Sequence, residues 1–256
     1  METQVLLSSV VALPRLKPAF QLAKQHHFDG IELFPYRWTT GGQLTDLANQ
    51  YNVPVVGVHF PFWWETKSLA EVVASETWWR EKGFACLWWM LFGPGHLTCP
   101  AMEVLRVFPE AYCLVHPDVF TRAGLGLEHF LQGREVFVEN ERPKIGEGVH
   151  TYNPYRIREN ILPLLPKGQF MFDPRHIIIA QKMGYLSKGL RITTIYRELK
   201  PEGLHLSFGQ LLHQEELAET TREHPPRYIV VETIPGPGAE ARVGQARNML
   251  HDAFGI

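Results

Sequence analysis

Six apolar runs of this sequence each carry, at or near their end, a side chain that can bind a metal ion or move a proton. An acidic residue that closes an apolar run, as Glu139 closes Val136-Phe137-Val138, is costly to bury without a partner, and a metal ion supplies one. Taken singly, each histidine could be structural, and each acidic residue could mark the point where a strand meets solvent. The repetition of such residues on separate runs favours a shared site. The six are His59, His116, Glu139, Asp173, His205 and Glu232, and a further run carries Glu32.

The runs that carry these residues alternate with longer amphipathic segments along the whole chain. This alternation predicts parallel strands that are each followed by a helix, and eight such units predict closure into a (β/α)8 TIM barrel of the α/β class. An open doubly wound sheet has the same alternation and is the alternative. The predicted strands are residues 4–12, 30–34, 54–60, 111–116, 135–139, 168–173, 203–208 and 227–232. The predicted helices are residues 18–27, 42–51, 66–92, 119–131, 155–165, 175–184, 191–199, 211–222 and 239–254.

The length of the chain agrees with this architecture. Its 256 residues match the ~250 that are typical of one such barrel, so we predict a single domain over residues 1–256. Functional residues of these barrels gather at the C-terminal ends of the strands, where we expect the six side chains to meet. The segment 93–110 is a long connection with room for an extra helical turn.

Composition narrows the class of protein. Hydrophobic residues make up 45% and charged residues 20% of the chain, which is enough for a full-sized core, and the net charge of −2 disfavours a nucleic-acid partner. Three cysteines without a CxxC spacing predict free thiols in a reducing cytoplasm. The N-terminal apolar run is typical of a strand and not of a signal peptide, and no stretch reaches the ~20 apolar residues of a membrane span. We expect a cytoplasmic protein without a membrane partner. The sequence is compatible with either a monomer or a homo-oligomer.

Six segments resemble the xylose-isomerase-like barrel superfamily, which contains endonuclease IV, tagatose 3-epimerase-type sugar epimerases and inosose dehydratase. The resemblance runs through nearly the whole chain. Its most specific parts are the V-E-N of the fifth strand, the D-x-x-H of the sixth and the final V-E-T. The segments are GVHFP (57–61), LVHPD (114–118), FVENERP (137–143), FDPRH (172–176), LHLS (204–207) and VVETIPG (230–236).

The resemblance implies a primary metal site and two catalytic residues. It arranges Glu139, Asp173, His205 and Glu232 around one divalent ion, and in the epimerases the two glutamates also exchange protons with the substrate. Imidazole and carboxylate ligands together suit manganese, zinc, iron or cobalt better than calcium, and we expect manganese or zinc.

Three histidines extend the implied site. His59 and His116 match positions that bind a second metal in endonuclease IV, bridged by the glutamate of strand five, so one or two ions per chain are expected. His176 resembles a substrate-contacting histidine of the epimerases and a further metal ligand of endonuclease IV.

The chain also departs from both groups. Ser207 stands where endonuclease IV has an aspartate, and residues 209–227 contain no D-x-H pair, which disfavours a trinuclear zinc site. The arginine that follows strand seven in epimerases is not evident either. The metal site is therefore better supported than the identity of the substrate.

Further substrate contacts are predicted around the metal ligands. Trp63 follows the third strand directly, where an aromatic ring could cover the face of a sugar. Arg142 and its neighbour Glu141 follow Glu139 and could meet polar or phosphorylated groups, although an ordinary solvated loop has the same composition. Glu32, on the second strand, completes the predicted substrate-binding set with His176.

These features predict an enzyme, a metal-dependent isomerase or epimerase of a small sugar or polyol-derived carbonyl compound that acts through an enediolate. A dehydratase or lyase would share the first step. The alternatives are an endonuclease IV-like metal-dependent phosphodiesterase, which the two extra histidines favour, and a non-catalytic barrel that binds a small ligand. The expected partner is a carbohydrate-like small molecule.

Overall fold

Eight parallel strands hydrogen-bond in chain order, and the last strand pairs with the first, so that the sheet closes into a barrel. The closed sheet confirms the predicted (β/α)8 fold and excludes the open doubly wound sheet. The computed structural model describes residues 2–12, 15–36, 38–60, 98–117, 133–141, 143, 152–207, 215–233 and 235–255. The strands are β1 (Gln4–Ser8), β2 (Gly30–Leu33), β3 (Val55–His59), β4 (Tyr112–Val115), β5 (Val136–Glu139), β6 (Gly168–Phe172), β7 (Gly203–Ser207) and β8 (Tyr228–Glu232).

The described α-helices lie in the connections between these strands, except the last helix, which follows the final strand. None of them is long and apolar enough to cross a membrane. The predicted helices at 66–92 and 119–131 lie outside the described residues. The helices are α1 (Leu16–Gln25), α2 (Gly41–Tyr51), α3 (Thr98–Val107), α4 (Pro154–Asn160), α5 (Pro174–Lys182), α6 (Ile192–Leu199), α7 (Glu215–Glu223) and α8 (Ala239–Phe254).

The first strand is shorter than predicted. It ends at Ser8, and Ser9–Ala12 forms a 3₁₀ turn instead of continuing the strand. The Ser9 hydroxyl accepts a hydrogen bond from the Phe34 amide at 2.8 Å, and the Ser9 carbonyl accepts one from the Tyr36 hydroxyl at 3.3 Å. These bonds to the segment after β2 replace the bonds that a longer strand would have made.

Two other segments also differ from the predictions. The helix expected over 155–165 ends at Asn160 and is followed by a separate 3₁₀ turn, Leu162–Leu164. Pro163 explains the break, because proline has no amide proton and its ring clashes with the preceding turn of a helix. The connection 93–110, expected to hold one extra turn, contains the ten-residue helix α3.

Alternate residues of each strand point to opposite faces, and this period separates two cores. Outward residues such as Val136 and Val138 belong to the larger core, which also contains apolar residues of the helices. Inward residues fill the barrel with a second, smaller core. Its members are Leu6, Tyr112, Leu114, Phe137, Met171, Tyr228 and Val230.

The same period places polar side chains directly above this inner core. A residue two positions beyond an inward apolar residue also points into the barrel, one layer nearer the C-terminal end. The apolar layer therefore becomes the floor of a polar layer. The pairs are Leu6 and Ser8, Leu114 and His116, Phe137 and Glu139, Met171 and Asp173, and Val230 and Glu232.

Gly57 of β3 lets the Tyr112 ring occupy the barrel, and replacing it with alanine should destabilise the fold. A Cβ atom at Gly57 would lie 2.2 Å from Cζ of Tyr112, whose side chain is buried. We expect Gly57→Ala to lower the free energy of unfolding by about 1–3 kcal/mol, the usual cost of overpacking a core. Urea unfolding measures this loss. Gly42→Ala is the control, because Gly42 lies in α2 with no atom within 4 Å of an added Cβ. An unchanged midpoint for Gly57→Ala would contradict the packing described here.

Candidate metal centre

Glu139, at the end of β5, lies at the centre of the polar layer with 1% of its surface exposed. Its Oε1 atom is 3.1 Å from Nδ1 of His205. Its Oε2 atom is 3.3 Å from Nε2 of His116 and 3.7 Å from Nε2 of His59. The two oxygens of one carboxylate therefore face two different groups of imidazole nitrogens.

Glu232 and Asp173 lie near other members of this cluster. Oε2 of Glu232 lies 3.8 Å from Nδ1 of His205, and the Glu232 side chain is 26% exposed. Asp173 is 1% exposed. Its carboxylate, the carboxylate of Glu139 and the imidazole of His176 form a group whose possible ligand atoms lie within 4.8 Å of one another. Within the four residues of the predicted primary site, Glu139 thus lies beside His205 and Asp173, and Glu232 lies beside His205, but the groups with the spacing of a metal site among the described residues do not include Glu232.

His59 and His116 meet beside Glu139, where the second metal position was predicted. Their Nε2 atoms are 3.2 Å apart. Together with Glu139 they form a second group that has the spacing of a metal site, and Glu32, His59 and His205 form a third. The three groups overlap, with Glu139 and His59 each in two of them, so the side chains could hold more than one ion.

The burial of Glu139 supports the idea that these residues fit a cation. Neither of its oxygens accepts a well-aligned hydrogen bond from the described residues, and Nδ1 of His205 likewise has no hydrogen-bond partner among them. Burying a carboxylate without such partners is costly, and a divalent ion would compensate it. A mixture of histidine and carboxylate donors suits a divalent metal ion.

The pKa values in the cluster reflect crowding of opposite charges. Burial acts to raise the pKa of Glu139, but the neighbouring His205 and His116 hold it well below its usual range. Burial acts to lower the pKa of His205, but Glu139 and Glu32 hold it well above its usual range. Burial, followed by repulsion from Glu139, raises the pKa of Asp173 to about 7. A cation beside Asp173 would relieve that repulsion.

Local hydrogen bonds fix the conformation of Asp173. As the N-cap of α5, it accepts hydrogen bonds from the amides of Arg175 and His176 at 2.6 and 3.4 Å through Oδ1. The Asn140 side chain donates to the Asp173 carbonyl and accepts from the Asp173 amide, both at 2.9 Å. Asn140, the last residue of the V-E-N motif, therefore joins β5 to β6, a role that we did not predict.

The predicted substrate-binding residues also include His176, Trp63 and Arg142. His176 lies beside the cluster, with Nδ1 3.5 Å from Oδ2 of Asp173 and 2.6 Å from the Asn140 carbonyl. Trp63 and Arg142 lie outside the described residues, so their roles stay predictions.

Glu141 is not part of a solvated loop. It is 3% exposed and its Oε1 lies 3.8 Å from Nδ1 of His116. The period of two along Phe137, Glu139 and Glu141 could have indicated its inward direction.

Glu32 lies below the histidines and has no exposed surface. Its Oε2 atom accepts a hydrogen bond from the Tyr112 hydroxyl at 2.7 Å, which the sequence analysis missed. Burial acts to raise the pKa of Glu32, but His205 and His59 bring it down to about 2. Contact between Glu32 and a substrate stays a prediction.

Comparison with solved structures finds barrels of this fold that match nearly the whole chain. A D-tagatose 3-epimerase-like protein is 14% identical over 98% of this chain and 98% of its own, with a TM-score of 0.57. A sugar phosphate isomerase/epimerase from Parabacteroides distasonis is 11% identical over 99% and 95%, with a TM-score of 0.57. Endonuclease IV from Thermus thermophilus is 15% identical over 96% and 98%, with a TM-score of 0.53.

At these identities the likeness shows the fold alone, a (β/α)8 barrel. No protein-family model and no curated protein matches the chain. The similar structures carry the names of isomerases, epimerases and an endonuclease, and a shared fold does not determine which activity a barrel has.

Proposed function

We propose that the chain is a metal-dependent isomerase or epimerase of a small sugar or polyol-derived carbonyl compound. The observation that carries the proposal is the pair of carboxylates, Glu139 and Glu232, that flank Nδ1 of His205 at 3.1 and 3.8 Å. Such a pair can serve as base and acid for a carbon next to a carbonyl group. The fold likeness to a D-tagatose 3-epimerase-like protein and to a sugar phosphate isomerase/epimerase supports this choice.

The residues that would hold the metal are Glu139, Asp173, His205 and Glu232. When bound, a divalent ion supplies positive charge that stabilises the negative charge developing on the substrate oxygens as the proton leaves. Glu232 is the more exposed of the two glutamates, so it is the better placed to meet a substrate that enters from the barrel mouth. Glu139 is buried and holds its position beside the imidazoles.

The proposal can be tested by solvent exchange with a panel of keto- and aldo-sugars and inososes in heavy water with manganese. Proton removal next to a carbonyl incorporates deuterium at that carbon, which mass spectrometry detects as a gain in mass. Gain of mass in at least one substrate with the parent protein is expected. A complete absence of exchange across the panel, with metal shown to be bound, would count against an isomerase or epimerase of these compounds.

A phosphodiesterase of the endonuclease IV kind is the second candidate, and one observation favours it. His59 and His116 meet Glu139 in a group that could hold a second ion, and two ions can bind the attacking and leaving oxygens of a phosphodiester. The net charge of −2 argues against a nucleic-acid substrate. Cleavage of a duplex that contains an abasic site, without deuterium uptake by any sugar, would favour this candidate.

Replacing both His59 and His116 with alanine should remove one metal equivalent and leave the other. Both imidazoles face Oε2 of Glu139, whereas the primary ligands His205 and Glu232 lie on the Oε1 side. Titration calorimetry with zinc should therefore show two equivalents for the parent and one for the double variant. A parent that binds one equivalent, unchanged in the variant, would leave these histidines with a different role.

A further inference from the structure

One carboxylate oxygen beneath the candidate metal centre contacts an imidazole from each side of it. Oε1 of Glu32 lies 3.2 Å from Nε2 of His205 and 3.3 Å from Nδ1 of His59. The contact with His205 is a hydrogen bond, while the contact with His59 is at ion-pair distance. The other oxygen of Glu32 accepts the hydrogen bond of Tyr112 at 2.7 Å, so the carboxylate itself is held in place.

The opposite nitrogen of each ring faces Glu139. Nδ1 of His205 is 3.1 Å from Oε1 of Glu139, on the side of Glu232. Nε2 of His59 is 3.7 Å from Oε2 of Glu139, on the side of His116. Each imidazole therefore has one nitrogen toward Glu32 and the other toward one of the two positions proposed for metal ions.

We propose that Glu32 is a positioning residue that sets the tautomers of His59 and His205 at once and so couples the two metal positions. The inference rests on the proposed metal centre. A neutral imidazole carries its proton on one nitrogen and a lone pair on the other. A carboxylate accepts hydrogen bonds only, so it favours the proton on the nitrogen nearest to it and leaves the opposite lone pair for the ion.

With metal bound to the opposite nitrogen of each ring, this positioning role requires opposite tautomers in the two rings. His205 carries its proton on Nε2 and binds through Nδ1, whereas His59 carries its proton on Nδ1 and binds through Nε2. If the Glu32 carboxylate only filled space in the core, or only neutralised one charge, the rings of His59 and His205 would not need opposite tautomers. The pattern therefore separates a positioning role from a merely structural one.

Nitrogen NMR of the zinc-loaded parent protein, labelled with ¹⁵N histidine, tests the tautomers directly. Zinc is diamagnetic, and long-range proton–nitrogen correlations identify which ring nitrogen carries the proton. We expect Nε2–H for His205 and Nδ1–H for His59. The reverse tautomer at either ring, with zinc bound at its site, would overturn the proposal, and this measurement needs no variant to fold.

A substitution tests the coupling. Glu32→Gln keeps the size of the side chain but removes its charge, and the loss of such outer partners typically costs about 10- to 100-fold in metal affinity. Because Glu32 contacts a ring on each side, calorimetry with zinc should show weaker binding at both equivalents, whereas His116→Ala should weaken one. The absorption spectrum of the cobalt-loaded protein should also change with Glu32→Gln, since the orientation of two ligands changes.

Ser8→Ala is the matched control for this experiment. Ser8 pairs with Glu32 in the β1–β2 register and is also fully buried, but its hydroxyl has no hydrogen-bond partner among the described residues. Ser8→Ala should leave both zinc affinities unchanged. Equal affinities for Glu32→Gln and Ser8→Ala would overturn the inference and leave the metal centre standing. A parent protein that binds no zinc at Glu139 would instead refute the proposed function itself.

Discussion

Replacing Glu139 with alanine should abolish metal binding at both positions of the centre. One of its oxygens faces His205 and the other faces His116 and His59, so a single substitution removes a ligand from each side. We expect a loss of more than ~100-fold in affinity, since even the partners of ligands are worth 10- to 100-fold. Titration calorimetry with zinc or manganese measures the change.

Glu135→Ala is the control, because it removes a carboxylate at the N-terminal end of β5, whereas Glu139 is at the C-terminal end of that strand. Glu135 lies just before β5 and pairs with Arg227, away from the inward polar layer. Its replacement changes the net charge equally but should leave metal affinity intact. If Glu135→Ala and Glu139→Ala weakened binding equally, the effect would come from charge alone and the assignment of Glu139 would be wrong.

The second large effect is expected from Glu232→Gln, which should reduce the rate of the proposed proton transfer by ~10²–10⁴-fold. The substitution keeps the size and one oxygen that can coordinate a metal, but it removes the base. Exchange of substrate hydrogen with heavy water, followed by mass spectrometry, measures the rate.

Stability separates this effect from damage to the fold. Glutamine keeps the size of Glu232 and one oxygen that can coordinate a metal, and the side chain is 26% exposed at the end of its strand, so the melting temperature with saturating metal should change little. Thermal melting with saturating metal checks this. Undiminished exchange in Glu232→Gln would remove Glu232 from the mechanism, whereas a large drop in melting temperature would make any loss of exchange a folding effect.

The direction of most ligands could be predicted from sequence because strand geometry has a fixed period. Phe137 is apolar and points inward, so Glu139, two residues later, had to share its face. Asp173 and Glu232 follow Met171 and Val230 in the same way. Once eight runs predict a closed barrel, these positions converge on one end without any knowledge of side-chain packing.

The layer beneath the ligands could not be predicted in this way. Tyr112 and Glu32 are 80 residues apart, and their hydrogen bond depends on how β2, β3 and β4 are shifted relative to one another. The register between β2 and β3 slips after Ile31, which no periodic pattern reveals. The void at Gly57 that admits the Tyr112 ring is likewise a property of three strands together.

The most direct test of the proposed metal centre is a crystal structure of the zinc-loaded protein with anomalous data collected at the zinc absorption edge. We predict an anomalous peak inside the C-terminal end of the barrel, ~2.0–2.2 Å from atoms of Glu139, Asp173, His205 and Glu232. A zinc peak that none of these four side chains contacts, or no peak at that end with zinc in excess, would contradict it.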